Sequence, residues 1–390
     1  MKILFVANSY YATGNGLCAS ARRTVQYLRE AGQEIRILSG PNHEAPEPQP
    51  DFVLKDAYIP IFNNLVHSHG FQFSKIDRKT IEEAVQWADV VHLEEPFFVE
   101  IAVARACKRL NKPCTSTYHL HPENIFCSID MGGLKFLNFN LLRWWRNQVY
   151  NYCSDIQCPS KNVLERLKKF GFKSRLHLIS NGIIPDENIR PQQAESDPSQ
   201  PFLVACVGRL AGEKDQPTLI EAMRYSRYAD RIQLYFAGRG PKGKIYQKKA
   251  HKLYKEGVLR YDPIFRYHTQ EELRELAAKT DLYIHCAIVE VEGLSALEFL
   301  QQAAIPIIAE GDLTATAQFA LDERSIFPTK DPRALAERID YWLDHPEERA
   351  KMGPQYAEST DAYDIHKSIQ ALIKMFELAR NEKNGTVTAN

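Results

Sequence analysis

Arg209 and Lys214 share the segment Gly208-Arg209-Leu210-Ala211-Gly212-Glu213-Lys214, which comes straight off an apolar run. Two cations at the end of a strand can neutralise a diphosphate through charge-assisted contacts. The same pair would equally suit an ordinary solvated basic loop. Glu290 and Glu298 bracket Gly293 and Leu294, and Leu294 to Leu300 is periodic enough for a helix. With Glu290 on the loop and Glu298 on the first turns of that helix, both carboxylates can face one ligand and accept paired O–H donors from sugar or ribose. Without a ligand, Glu290 and Glu292 are loop charges and Glu298 a surface helix position. His119 closes the run Cys114 to Tyr118, and His121 competes with it, because an extended segment places both imidazoles on one side. Gly14-Asn15-Gly16 precedes a helix and can offer backbone N–H groups to a phosphate. It lacks the full G-x-G-x-x-G spacing, since Ala19 stands where the third glycine would be, and it serves as well for a plain turn.

These residues need a scaffold, and the hydrophobic pattern predicts one. Ile3 to Ala7 is a continuous apolar run of the kind buried on both faces of a parallel sheet. A helix over Ala19 to Ala31 follows, Gly32 closes it, and Glu34 to Leu38 reads as the next strand. The alternation recurs with a helix around Ile81 to Trp87 before Val90 to Leu93, and a helix around Ile101 to Leu110 before Cys114 to Tyr118. A second series starts at Phe202 to Val207 and continues with strands at Gln233 to Ala237, Leu282 to Cys286 and Ile305 to Ala309. Helical patterns close the chain at Pro332 to Leu343 and Ile365 to Leu378. Alternation of this kind implies α/β architecture with open parallel sheets, whose ligands bind at the carboxyl ends of the strands. Between the two series lies a polar, proline-containing segment, Ile189 to Pro201.

The 390 residues suit two domains better than one. The 49 Lys and Arg balance 49 Asp and Glu, so no global field recruits polyanions and nucleic acid is not expected as a partner. The eight cysteines are scattered without a C-x-x-C pair and read as buried thiols. The opening apolar run is too short for a secretory segment and no stretch is long enough to span a bilayer, so a reducing cytoplasm is the expected location.

Taken together, the motifs resemble the retaining glycosyltransferases of family 4, glycosyl transferases group 1, which have the GT-B architecture of two Rossmann-like domains facing an interdomain cleft. The likeness covers nearly the whole chain. It rests on the Gly-rich loop, Tyr118-His119, Pro159-Ser160, Ile179-Ser180-Asn181-Gly182, Gly208-Arg209-Leu210 with Glu213-Lys214, Gly238-Arg239-Gly240-Pro241, and Glu290 through Glu298. The resemblance implies an acceptor-binding domain over 1–188, a linker over 189–201 and a nucleotide-sugar-binding domain over 202–358. A C-terminal helix over 359–381 would pack back on the first domain, and 382–390 would be a frayed tail. It also implies roles. Arg209 and Lys214 stabilise the leaving diphosphate, Glu290 contacts the transferred sugar with the backbone of Gly293 and Leu294 beside it, and Glu298 holds the ribose. His119 contacts the donor sugar, while Gly14 and Gly16 approach the diphosphate from the opposite side.

The implied reaction is transfer of a hexose from a nucleotide-sugar, by family habit a UDP-sugar, to a lipid or saccharide acceptor in glycolipid or polysaccharide synthesis. Retention would follow a front-face route in which the leaving phosphate takes the acceptor's proton. No Asp-x-Asp motif occurs, which agrees with an enzyme needing no metal or other cofactor. A sugar-nucleotide epimerase of the same architecture and a non-catalytic nucleotide-sugar-binding protein are the alternatives. Two departures from the family pattern stand out: Glu292, beside the sugar pocket, replaces the aromatic that many relatives carry before the motif glycine, and Glu310-Gly311-Asp312-Leu313-Thr314, after the motif, replaces a small-residue turn. For the acceptor, a helix over Leu134 to Tyr152 would bury the stripe Leu134, Leu137, Leu141, Trp145, Val149 and Tyr152. Arg143 and Arg146 then share the opposite side with Phe136, Phe139 and Tyr150. Together with the aromatic tract Tyr58 to Phe73, that face hints at the inner membrane surface as a partner, although packing between helices would also account for it. The basic run Lys242, Lys244, Lys248, Lys249, Lys252 and Lys255 reads as a solvated helix face.

Overall fold

The computed structural model describes residues 1–13, 16–58, 72–127, 131–186 and 200–383. Gly14, most of the tract Tyr58 to Phe73, all but the last two residues of the segment 189–201, and 384–390 of the tail lie outside the described residues. The chain divides into two units: Met1–Pro122 with Leu134–Gly182 and Ile365–Asn390, and Glu123–Gly133 with Ile183–Asp364.

The first unit holds β1 (Lys2–Val6), β2 (Glu34–Ser39), β3 (Phe52–Val53), β4 (Val90–Leu93), β5 (Cys114–Thr117), β6 (Asp155–Cys158) and β7 (Arg175–Leu178). They pair in parallel in the order β3-β2-β1-β4-β5-β6-β7. Ile3, Leu4, Phe5 and Val6 are wholly buried, as a central parallel strand covered on both faces requires. The helix Gly16–Glu30 lays Ala21, Val25 and Leu28 on Ile3, Phe5, Ile35 and Ile37. The last helix, Ile365–Lys383, completes the same core with Ile369, Leu372, Met375 and Phe376. It remains helical through Glu382, whose carboxylate pairs with Arg175 at 2.6 Å.

The helix after residue 134 differs from its expected phase. It spans Lys135–Gln148, followed by a short turn of tighter helix at Tyr150–Tyr152. Its buried positions are Asn138, Leu142 and Trp145, joined by Val149 and Tyr150, whereas Leu134 is 48% exposed. Apolar residues lie all round this segment, so their spacing identifies a helix but not which face turns inward. Phe136, Phe139 and Trp144 stay exposed, and Trp144 meets exposed Phe98 edge-on.

The second unit holds β8 (Phe202–Val207), β9 (Ile232–Ala237), β10 (Ile264–Arg266), β11 (Leu282–His285), β12 (Ile305–Glu310) and β13 (Ile326–Pro328). These are also parallel, ordered β10-β9-β8-β11-β12-β13. Each expected strand is present, with ends shifted by a residue or so, because ladder hydrogen bonds rather than hydrophobicity end a strand. The helices Gln216–Ala222, Gly243–Lys255, Leu294–Leu300 and Pro332–Asp344 pack over the sheet. The lysines of Gly243–Lys255 lie on its exposed side.

Candidate active site

In each sheet the strand order reverses once, between β1 and β4 and between β8 and β11. A crevice at the carboxyl ends of the strands belongs at such a point, and the candidate residues collect at both.

In the second unit, two loops hold each other through their backbones. In the loop after β8, Leu210 N donates to Arg239 O at 3.2 Å, Leu210 O accepts from Lys242 N at 3.0 Å, and Gly208 N donates to Ala237 O at 3.0 Å. A Cβ on Gly238, whose φ is +154°, would collide with the carbonyl of Gly208. This close approach explains why the glycine motifs of the two loops occur together. Arg209 is thereby fixed at a strand end, and Gln216 Nε2 donates to its carbonyl at 2.9 Å. Its guanidinium lies against Glu213, with Nε at 3.0 Å from Oε1 and Nη2 on the same oxygen. Glu213 is 1% exposed.

Lys214 ends the short helical turn Gly212–Lys214 and forms an ion pair with Glu290 Oε2. Burial would raise the Glu290 carboxyl, but Lys214 and His285 outweigh it and hold the group well below the usual carboxylate range. The His285 ring lies 3.3 Å from the same oxygen, and burial pushes its pKa down. Behind it, Tyr283 Oη is 3.0 Å from His285 Nδ1 and 3.0 Å from Ser295 Oγ. Glu290 Oε1 has no protein partner among the described residues.

The backbone of Glu290 is held by the segment that departs from the family turn: Glu290 N donates to Leu313 O at 2.8 Å, and Ala315 N to Glu290 O at 3.2 Å. Gly293 has φ +93°, and a Cβ there would strike the Thr316 side chain. It leads into the helix Leu294–Leu300, whose second turn carries half-buried Glu298. Burial raises the phenol of Tyr283, and the charges of Glu290 and Glu298 add to that rise. Glu292, the departure from the family's aromatic, is 2% exposed, and its carbonyl accepts from Thr316 Oγ1 at 3.2 Å.

In the first unit, Asn8 follows β1, Glu94 and Glu95 follow β4, and His119 follows β5. Asn8 N donates to Glu95 Oε2 at 2.7 Å, and its Nδ2 reaches both oxygens of Glu100 at 2.8 Å. His119 Nε2 is 2.9 Å from Glu94 Oε2. Burial would raise the Glu94 carboxyl, but His119 and His92 bring it down to about 2. Glu95 and Glu100 go the other way, raised chiefly by burial and, for Glu100, by Glu95 beside it. The two histidines of the segment separate clearly. His121 is wholly buried, its Nδ1 3.1 Å from both Tyr118 Oη and Arg166 Nη1, while the His119 side chain keeps 8% exposure. Gly16 opens the helix Gly16–Glu30 on the surface. Arg22 ties that helix to the preceding loop through the carbonyls of Tyr10 and Ala12.

The sequence reading found the cations and the motif carboxylates, gave Glu213 no role of its own, and did not single out His285 or Glu94. Glu94 stands next to a recognised strand end, the one signal that would have drawn attention to it. Among the described residues, no three His, Cys, Asp or Glu side chains are grouped to hold a metal ion.

Two parallel sheets, each with polar residues at its reversal point, give the GT-B fold. Anabaena HepE in complex with UDP-glucose superposes at a TM-score of 0.71 with 15% identity, covering 97% of this chain and 100% of its own. The chain belongs to the family 4, group 1 glycosyltransferases: the model "Glycosyltransferase Family 4" matches residues 14–187 and "Glycosyl transferases group 1" matches 187–359. A GDP-mannose-dependent alpha-mannosyltransferase of Corynebacterium glutamicum is 23% identical over 319 residues, 79% of this chain and 72% of the relative. The catalytic domain of cholesterol-alpha-glucosyltransferase from Helicobacter pylori shares 40% identity over 42% of this chain and 99% of its own, with a TM-score of 0.40.

Proposed function

We propose that this glycosyltransferase moves a hexose from a nucleotide diphosphate sugar to a lipid or saccharide acceptor, with retention at the anomeric carbon and without a metal. The observation that carries the reading is the pair Arg209 and Lys214 at the reversal point of the second sheet, each with a carboxylate beside it. Their side chains are 24% and 21% exposed, shielded enough for charge to count and open enough for an anion to reach them. Both cations would bind the leaving diphosphate, where negative charge grows in the transition state. Glu290 would accept a sugar hydroxyl and Glu298 would accept from the ribose, with the backbone of Gly293 and Leu294 contacting the transferred sugar. In the first unit, His119, Gly14 and Gly16 serve substrate.

In the front-face route, the bond from the anomeric carbon to the phosphate oxygen breaks while the acceptor oxygen bonds on the same face. The acceptor's proton passes to the departing phosphate. The acceptor reading draws on the helix Lys135–Gln148, whose outer side carries Phe136 at 77% and Phe139 at 51% exposure beside exposed Arg143. Aromatic and cationic side chains together suit the interface of an anionic bilayer, here the cytoplasmic leaflet. None of the described helices is long and apolar enough to cross a membrane.

The relative named above uses GDP-mannose and HepE holds UDP-glucose, so the base must be found by trial. A thermal-shift panel of UDP-, GDP- and ADP-sugars is the test, because a ligand at 100 times its Kd adds about 2.7 kcal/mol of stability. One sugar nucleotide should raise the unfolding midpoint and be consumed only when acceptor is present. Consumption without acceptor would favour an epimerase, and no shift with any donor would overturn the reading.

A further inference from the structure

We infer that Glu94, locked in place by His92, fixes the tautomer of His119 so that this histidine meets substrate through Nδ1. The inference rests on the reading of His119 as a substrate residue, and it makes Glu94 a positioning residue rather than a catalytic one.

A polar track that is out of character for a parallel sheet runs across these strands, and its protons can be assigned one by one. Gln157 on β6 directs its amide nitrogen to the carbonyls of Ile179 at 3.1 Å and Ser180 at 3.4 Å. Its Oε1 is therefore the atom 2.7 Å from Thr117 Oγ1, and it must accept the threonine's proton. A hydroxyl has one proton to give. The 2.9 Å contact between Thr117 Oγ1 and His92 Nε2 therefore needs the hydrogen on Nε2. That same N–H lies 3.1 Å from Glu94 Oε1. On the other side, Thr115 Oγ1 sits 2.9 Å from His92 Nδ1 and 3.3 Å from the Val91 carbonyl, and with Nε2 protonated it gives its one proton to the nearer Nδ1. The register His92↔Thr115 and Thr117↔Gln157 sets all four residues on neighbouring strands.

Glu94 is 2% exposed with Oε1 held by His92, so its Oε2 faces His119 Nε2 at 2.9 Å. An ionised carboxylate can only accept, so Nε2 of His119 carries the hydrogen. In the neutral ring the lone pair is then on Nδ1, which makes no hydrogen bond to any described residue. His119 thus presents an acceptor, the partner a sugar hydroxyl needs. Burying this many polar side chains costs free energy unless each is satisfied, and the track leaves only Nδ1 over.

Glu94→Gln tests the assignment with almost no change of shape. An NH2 turned to the His92 Nε2–H would set two donors against each other, so the new amide turns its oxygen to His92 and its NH2 to His119. That forces His119 into the opposite tautomer, with the hydrogen on Nδ1. Nitrogen-15 spectra of the histidine rings should show the Nε2–H form in the native enzyme and the Nδ1–H form in Glu94→Gln, independently of activity. The kcat/KM should fall about 10- to 100-fold, the scale of losing a partner that orients a histidine. His119→Ala should fall comparably, and Glu94→Gln with His119→Ala should fall no further. His119→Asn, whose amide reaches the Nδ1 position, should keep more activity than His119→Gln, and this comparison carries the test if Glu94→Gln does not fold. Additive losses, an unchanged ring spectrum in Glu94→Gln, or a better His119→Gln would overturn the proposal. If His119→Ala keeps full activity while the spectra behave as described, His119 is not a substrate residue and the underlying reading fails instead.

Discussion

Replacing Lys214 with Ala removes the ammonium that faces Glu290 and strikes stability and rate by separable amounts. At a contact of about 3 Å and an effective dielectric constant of about 20, the pair attracts by about 5 kcal/mol before desolvation is subtracted. Removing one partner of a fully buried pair costs about 3–5 kcal/mol. Here the side chains retain 21% and 16% exposure. Water therefore recovers part of that loss, and about 2 kcal/mol is the expected cost. For a unit of this size that lowers the unfolding midpoint by about 4–8 °C. Transfer should lose more, about 100- to 1,000-fold in kcat, the scale of deleting one donor to transition-state charge.

Urea unfolding and initial rates at saturating donor measure the two effects. Lys214→Ala with Glu290→Gln should recover most of the stability, because an amide needs no counter-ion, but not the rate. The native Glu290 carboxyl is depressed in the folded state, so its stabilisation is present above the unfolded pKa and is lost as pH falls through the folded value. In Lys214→Ala, burial is opposed by His285 alone, so Glu290 takes up a proton at higher pH and the acid limb of residual activity moves up. A Lys214→Ala protein with a native midpoint and a near-native rate would refute the reasoning.

Asp155 offers a pH test far from the chemistry. Its carboxylate is wholly buried and accepts from Arg175 at 2.7 and 2.8 Å, His177 at 2.7 Å and Ser154 at 2.6 Å. Although burial acts to raise it, these partners hold it at about 2 against an ordinary 3.8. Its stabilisation should be whole above about pH 4 and lost as pH falls toward 2. The shift is an upper bound near 2.4 kcal/mol, and about half that is expected because Arg175 is 44% exposed. Unfolding free energy measured from pH 5 to 2 should fall less steeply in Asp155→Asn, and equal slopes would count against the assignment. At the surface, Phe136→Ser with Phe139→Ser should cut co-sedimentation with anionic vesicles at least about 10-fold, since each ring contributes about 1.5–3 kcal/mol when buried. Unchanged binding would remove the helix Lys135–Gln148 from the membrane reading.

The architecture was legible because it follows from local pattern. Runs such as Ile3 to Val6 and Phe202 to Val207 can hardly be anything but buried strands, and their spacing by helices dictates parallel pairing. Arg209 and Lys214 were legible for the same reason, as they sit where such a strand ends. The partners of those cations were not. Glu290 is sequence-distant from Lys214, and no periodicity reports that two loops at one sheet reversal will meet. His285 and Glu94 look like strand-end residues of no special kind until their neighbours are placed. The segment Glu310 to Thr314 looked like a mere departure, yet its backbone is what holds Glu290. The helix Lys135–Gln148 shows the converse limit: its period was plain, but buried Asn138 and exposed Leu134 reverse what side-chain polarity suggests.

The last helix, Ile365–Lys383, has a consequence for how the chain comes off the ribosome. Synthesis is vectorial and domains generally fold as they emerge. The second unit's largest piece, Ile183–Asp364, is one continuous stretch and can organise its sheet before Ile365–Lys383 is made. The first unit has its strands early but waits for Ile369, Leu372, Met375 and Phe376 to close the core around Ile3 and Phe5. Its strands must hold an open apolar face until the stretch Ile183–Asp364 has also been made, so the unit whose strands are translated earlier is the one that closes later.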